Sequence, residues 1–397
     1  MPDTAGTPAR HIRAVALAVF LVSWGTNVST PFLIRYQERL DLGDSATMLI
    51  FTVYVVGIIG TLPVAGPVSD RFGRRAVVIP FTMLSAVSSL VLVLGRDDFA
   101  FLLLGRFLLG VVSGAVLGVS AAWLQELLGP TGAQRAAVMS TLITFGGFGI
   151  GPPISALFDS LLPHPLVLPF VLHAAATIAV LPALLAVPET TDPTARPSRV
   201  VIDLGVPEAA RPLFWRIVVP AALWVFAFPS TSFALFPVIL SDAIPDAEVW
   251  VAAISGVVTA WAGMLARPLL TLVRPRVALI VGMSMGGTGY LLGTIAFATD
   301  VWPLLMPAAA LLGCAAGTIT AGALGVLAAI ADPTTRGALN STFYLLAYPS
   351  MAMPIAITGL GALIGLTAAL VVATVTVAVV VVSQVVVHRR SGHLLGG

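Results

Sequence analysis

Residues Gly66 to Arg75 read Gly-Pro-Val-Ser-Asp-Arg-Phe-Gly-Arg-Arg and place Asp70, Arg71, Arg74 and Arg75 within six positions. The stretch lies between two apolar runs, each long enough to cross a bilayer. Charges this dense need water or one another, so they mark one face of a membrane and offer ion pairing rather than bond chemistry. A second charge of interest is Arg106, which sits about 12 Å inside another apolar run at ~1.5 Å per residue. A guanidinium at that depth faces the protein interior and must have its donors occupied. The acceptors to expect are the Asn27 amide oxygen, a backbone carbonyl freed at a helix bend, trapped water or an acceptor group of a substrate. His173 lies in an apolar run as well and reads as a packing residue.

These side chains need a scaffold, and composition decides its solvent. Hydrophobic residues make up 58% and charged residues 10% of the 397, with a mean hydropathy of +1.02, which implies an all-α integral membrane protein. At about 20 apolar residues per crossing the chain holds twelve candidate spans. They run over 12–34, 46–68, 76–94, 99–125, 136–158 and 166–187, then 213–240, 249–271, 277–298, 302–330, 336–360 and 365–387. A proline-rich, charged linker, residues 189–212, separates a first six-helix bundle (1–188) from a second (213–397). All basic residues are arginines, and the face shared by both termini collects most of them, against Arg35, Arg39 and Arg96 on the other. That asymmetry places both termini in the cytoplasm of a plasma (inner) membrane. The first ten residues are polar and carry no signal-peptide pattern. The last span is almost pure valine and alanine and should face lipid.

The two halves repeat. A shift of 201 positions aligns Pro67 with Pro268, Arg75 with Arg276, and Arg135, Ser140 and Thr141 with Arg336, Ser341 and Thr342. A shift of 203 aligns Leu108-Leu109-Gly110 and Gly114 with Leu311-Leu312-Gly313 and Gly317. The second copy has Thr271 in the place of Asp70 and Ala309 in the place of Arg106, so the halves differ in function.

Gly66, Asp70, Arg71, Gly73, Arg74 and Arg75 match, position for position, the loop between the second and third helices of the major facilitator superfamily, which the chain resembles. Pro188-Glu189-Thr190 is similar to the end of the sixth helix in many of its members. Gly147, Gly151 and Pro152 resemble the fifth-helix motif of the drug/proton antiporter branch, with Ser155 and Ala156 replacing its last two glycines, and Leu102, Arg106 and Gly110 resemble its fourth-helix motif. The resemblance implies the major facilitator fold, two pseudo-symmetric six-helix bundles. It also brings the eleventh helix near Asp70, so that Arg336 and Gly337 join Asp70, Arg71, Arg74 and Arg75 in a latch that opens as the bundles rock apart. Gly147, Gly151 and Pro152 form a helix-packing motif. The resemblance further makes Trp24, Asn27 and Arg106, with Trp224, Phe228, Ser232, Tyr344 and Tyr348, candidates to line a central cavity. Asn27 stands where the branch often has a carboxylate.

Several classes fall away. The net charge of +2 and the dispersed arginines exclude a nucleic-acid partner, and the single Cys314 excludes an internal disulfide or a cysteine metal site. The spans hold no paired carboxylates, histidine cluster, phosphate loop or activated nucleophile, so an enzyme is not expected, and neither is a cofactor or metal. The reading is a monomeric secondary transporter in a lipid bilayer that exports an amphipathic small-molecule substrate, with protons as the candidate coupling ion. A facilitator or importer of a small organic metabolite is the alternative, and a non-transporting scaffold stands behind it.

Overall fold

The computed structural model describes residues 9–191, 206, 208, 211–244, 246–269, 273–330 and 336–391. Side chains at a few helix ends, that of Arg336 beside Gly337 among them, lie outside that description. Among the described residues twelve helical stretches are long and apolar enough to cross a membrane. They are Ala9–Val28, Asp44–Phe72, Arg74–Leu94, Phe99–Leu128, Gln134–Leu161 and Leu168–Leu185, then Phe214–Ile239, Glu248–Ala266, Pro275–Thr299, Trp302–Ala329, Leu339–Ile364 and Leu366–Arg389, called the first to twelfth spans below. No strand occurs among the described residues. The chain forms two compact units, Met1–Leu42 with Val53–Ile202 and Gly43–Thr52 with Asp203–Gly397.

Two ends differ from the pattern read in the sequence. The first span stops at Val28 rather than running on to residue 34, because Pro31 cannot continue its hydrogen-bond ladder, and Leu33–Leu40 forms a separate short helix. The second span continues through Phe72, so the charged stretch is a helix end rather than an open loop, and Gly73 alone turns the chain into the third span. At the far end of the first unit, Arg35, Arg39 and Arg96, the arginines of the less favoured face, line one cavity of about 440 Å³ with Glu38, Asp159 and His164. Each is ion-paired. Arg35 grips Asp159 (Nη2 to Oδ2, 2.8 Å) and Arg39 grips Asp97 (Nε to Oδ1, 2.8 Å), while Arg96 also reaches Asp97 at 2.7 Å.

The core of each unit rests on glycines that let backbones touch. In the first unit a β-carbon at Gly110 would run into the Tyr54 carbonyl, and Gly57 lies against the Phe107 carbonyl, so the second and fourth spans meet backbone to backbone. In the second unit Gly313 meets the Thr259 carbonyl and Gly317 meets Gly263 in the same way, joining the eighth and tenth spans. Without a hydrophobic drive between helices in lipid, such close approach is what dispersion attraction requires. The aligned glycines of the repeat are therefore aligned contacts. The twelfth span, by contrast, exposes Val371, Val372, Val375, Val379 and Val382.

Gly110→Ala should lower the melting temperature of the detergent-solubilised protein by several degrees, as expected for about 1 to 3 kcal/mol of overpacking. Gly118→Ala, on the same span but with open space around it, should leave it unchanged or raise it slightly. Equal melting of the two variants would contradict backbone contact at Gly110.

Candidate functional site

In the first unit the charged cluster is built around Gly73, whose φ of 104° suits glycine alone. The third span begins at Arg74 with no cap from its own end of the chain. Glu189, just beyond the sixth span, takes that role from a distance in sequence. Its carboxylate accepts from the N–H groups of Arg74 (2.9 Å) and Arg75 (3.0 Å), and from those of Thr190 (3.0 Å) and Thr191 (3.1 Å). A side chain on Gly73 would collide with this carboxylate, so the glycine serves both the turn and the cap. Burial alone would raise the Glu189 pKa, but the backbone donors, those of Arg74, Thr191 and Arg75, outweigh it and hold the group below the usual carboxylate range.

The side chains complete a network. Arg74, only 12% exposed, donates to Asp70 Oδ1 (2.6 Å), Ser69 Oγ (2.6 Å) and Glu126 Oε1 (2.7 Å). Glu126, at the end of the fourth span, also accepts from the Thr190 hydroxyl. Arg75 donates to the Val187 carbonyl (2.6 Å) and Trp123 Nε1 to that of Pro188 (3.3 Å). Arg71 lies over the Phe72 ring at 5.2 Å. The ends of the second, third, fourth and sixth spans are thus tied together, and every residue of Pro188-Glu189-Thr190 takes part. Asp70, half exposed, holds Arg74; its expected meeting with Arg336, beside Gly337, lies outside what is described.

Arg106 is 2% exposed and donates through Nη1 to the Thr26 carbonyl (3.0 Å) and Ser29 Oγ (3.1 Å), with its guanidinium 5.1 Å from the Tyr54 ring centre. The carbonyl is available because the first span ends here: the Thr30 N–H bonds to Asn27 O at 3.3 Å, one residue short of its helical partner. The Asn27 amide donates to Phe148 O on the fifth span at 3.5 Å. Gly147 and Gly151 press against the first span at Phe20 and Trp24, beside Pro152 inside the fifth. Ser155, where the related motif has glycine, donates to Val28 O (2.7 Å). Trp24 packs edge-on against His173, centroids 5.4 Å apart. The His173 ring bridges three spans, with Nε2 2.9 Å from Leu21 O and Nδ1 2.7 Å from Ser89 Oγ. A carbonyl only accepts, so Nε2 carries the hydrogen and, in the neutral ring, Nδ1 accepts from the serine.

In the second unit Trp224, Phe228 and Ser232 lie in the packed interior. Trp224 and Phe228 stack at 5.6 Å, both meet Tyr290, and Ser232 bonds to Thr259 at 2.7 Å. Tyr344 and Tyr348 are partly exposed, and Phe226, which the sequence pattern did not single out, lies flat on Tyr348 with centroids 4.6 Å apart and planes at 13°. The seventh span is interrupted at Phe226, three residues before Pro229, and the eleventh at Tyr348–Ala352, which contains Pro349. Ser350 joins the two breaks: its Oγ accepts from the N–H groups of Phe226 and Ala227, both at 3.1 Å, and donates to Ala347 O at 2.7 Å. The prolines were the available signal for Phe226 and Ser350; nothing local marks Glu189 as a cap for the third span.

The family model described as Major Facilitator Superfamily matches residues 15–245. The bacillibactin exporter of Bacillus subtilis (strain 168) is 26% identical over 157 residues, 38% of this chain and 39% of that protein. The multidrug resistance protein MdtL of Escherichia coli is 32% identical over 124 residues, 31% of each. These matches span well under half the length of either relative. Among solved structures, a POT family transporter in complex with 5-aminolevulinic acid superposes with a TM-score of 0.77 over 97% of both chains at 13% identity, a likeness of fold.

Glu189→Gln should cost about 1 to 2 kcal/mol near pH 7, the scale of charged hydrogen bonds to helix N–H groups. Because its folded pKa is depressed, the carboxylate stabilises above its unfolded pKa of about 4.3 and loses that contribution as pH falls through the folded value. Thermal melts of wild type and variant should therefore converge in acid. A pH-independent gap would remove the charge from the account.

Proposed function

The chain belongs to the major facilitator superfamily, and from that premise we propose that it is a secondary transporter exporting amphipathic small molecules by alternating access across the plasma membrane, with both termini in the cytoplasm. The observation that carries the reading is the asymmetry of the charged network. Arg74 is only 12% exposed and shared among Asp70, Glu126 and Ser69, whereas Asp70 is half exposed and held by an ion pair of the kind worth about 0 to 1 kcal/mol at a surface. A carboxylate so loosely held is free to exchange partners, which is what a latch between two states needs. The export direction draws on the relatives, one named an exporter and one a multidrug resistance protein.

A second reading, a facilitator or importer without proton coupling, is favoured by where the acids lie. Among the described residues every acid is in a connection or within three residues of a span end, and Glu126 and Asp159 are already ion-paired. None is positioned at mid-membrane depth to carry a proton.

Two measurements separate these readings. In proteoliposomes, an imposed pH gradient should drive uptake of a transported dye if protons are exchanged, and uptake indifferent to the gradient would leave the facilitator reading. Asp70→Asn should slow transport five- to thirtyfold at equal expression, the population shift that about 1 to 2 kcal/mol produces. Transport at the wild-type rate would refute the latch.

A further inference from the structure

In the second unit two broken spans meet at one hydroxyl, and the aromatic ring at the first break lies flat on the aromatic ring at the second. The junction consists of Phe226, Tyr344, Tyr348 and Ser350. Phe226 and Tyr348 are parallel to within 13° at 4.6 Å, closer and flatter than the other aromatic pairs of this unit. Phe226, Tyr344 and Tyr348 all remain partly exposed, unlike Trp224, Phe228 and Tyr290, which pack within the core. That exposure does not point to lipid. Asn340, Tyr344 and Tyr348, four residues apart, share one face of the eleventh span, and a face that carries an amide and two phenols is not a lipid-facing one.

The backbone supports the same conclusion. Interrupted spans are where membrane carriers place ligand contacts, because irregular backbone is tolerated only in protein or beside a water-filled cavity. Here the freed N–H groups of Phe226 and Ala227 are taken by Ser350, so the junction is held without a ligand, and the rings are left as its accessible surface. Parallel rings at stacking distance present a flat face to a third ring, and aromatic faces attract one another in offset stacks. The chemistry of the junction is that of a flat, partly exposed π-surface.

We propose that Phe226 and Tyr348 form a stacking platform that selects substrates carrying a planar aromatic ring system. The proposal rests on the transporter reading and narrows its substrate class. A flat ring continues the stack, whereas a saturated amphiphile of equal charge finds no counterpart surface there.

The test is equilibrium binding to the full-length protein in detergent, with ethidium as the planar probe and tetrabutylammonium as a ringless cation of the same charge. Wild type should bind ethidium. Phe226→Leu, which keeps bulk but removes the ring, should weaken ethidium at least tenfold and change tetrabutylammonium less than twofold, while Phe226→Tyr should stay within threefold of wild type. Tyr348→Leu should reproduce the Phe226→Leu result, and it decides the matter if that protein does not purify folded. No ethidium binding by wild type, undiminished binding by the leucine variants, or equal loss of both probes would each overturn the platform. Transport assayed separately in liposomes keeps the outcomes distinct: selective loss of ethidium with transport of other compounds intact supports the platform, and a wild type that binds ethidium but moves nothing refutes the transporter reading alone.

Discussion

In hydrocarbon, a backbone N–H or C=O that leaves its helical partner has no water to turn to, so what matters at a break is the group that takes its place. At the end of the first span the Thr26 carbonyl goes to Arg106 and the Val28 carbonyl to Ser155. At the seventh, Ser350 receives two N–H groups, and beside the π-helical turn Phe214–Val218 the Ile217 carbonyl accepts from Gln384 at 2.9 Å. In each case the substitute comes from another span. A break is thus also a tie, because the helix can bend there only while its neighbour stays in place. The same accounting holds in water at the Glu189 cap, where the third span borrows its first acceptor from the far end of the sixth.

The two units share their glycine contacts but not the chemistry laid over them. Arg106 holds the first unit with a charge that must keep its acceptors in fixed geometry, since stranding it costs at least ~2.5 to 3.5 kcal/mol. Its counterpart in the repeat, Ala309, is buried and asks for nothing. Around it the second unit uses hydroxyls: Thr259 meets Ser232 at 2.7 Å and Thr231 meets Tyr290 at 2.6 Å. A hydroxyl both donates and accepts and can rotate to a new partner at little cost. With two π-helical turns in the seventh span, Phe214–Val218 and Thr231–Leu235, the second unit is the one whose backbone has alternatives within reach.

The membrane class, the spans, the repeat and the turn at Gly73 were legible in the sequence because each rests on composition or on one local requirement. Twenty apolar residues are a span whatever surrounds them, and a glycine before two arginines reads as a turn. Glu189 was not legible in its role, since the N–H groups it caps at the third span, those of Arg74 and Arg75, lie more than a hundred residues away. For Arg106 the class of acceptor could be named, a carbonyl freed at a bend. Its identity could not, because the first span was drawn through the Val28 end where that carbonyl is released.

The seventh span shows why spacing alone did not separate a packing face from an open one. Trp224, Phe228 and Ser232, four residues apart, are all buried; the two rings meet Tyr290 of the ninth span, and Ser232 meets Thr259 of the eighth. What decides it is the partner's glycines. The Phe228 ring occupies the place of a side chain at Gly286, and the Phe236 ring that at Gly293. Aromatics eight residues apart on one helix and glycines seven apart on another are knobs and holes of nearly equal pitch, and both were present in the sequence to be matched. Phe226 points away from that seam and no glycine receives its ring. It stacks instead on Tyr348, at the break of the eleventh span.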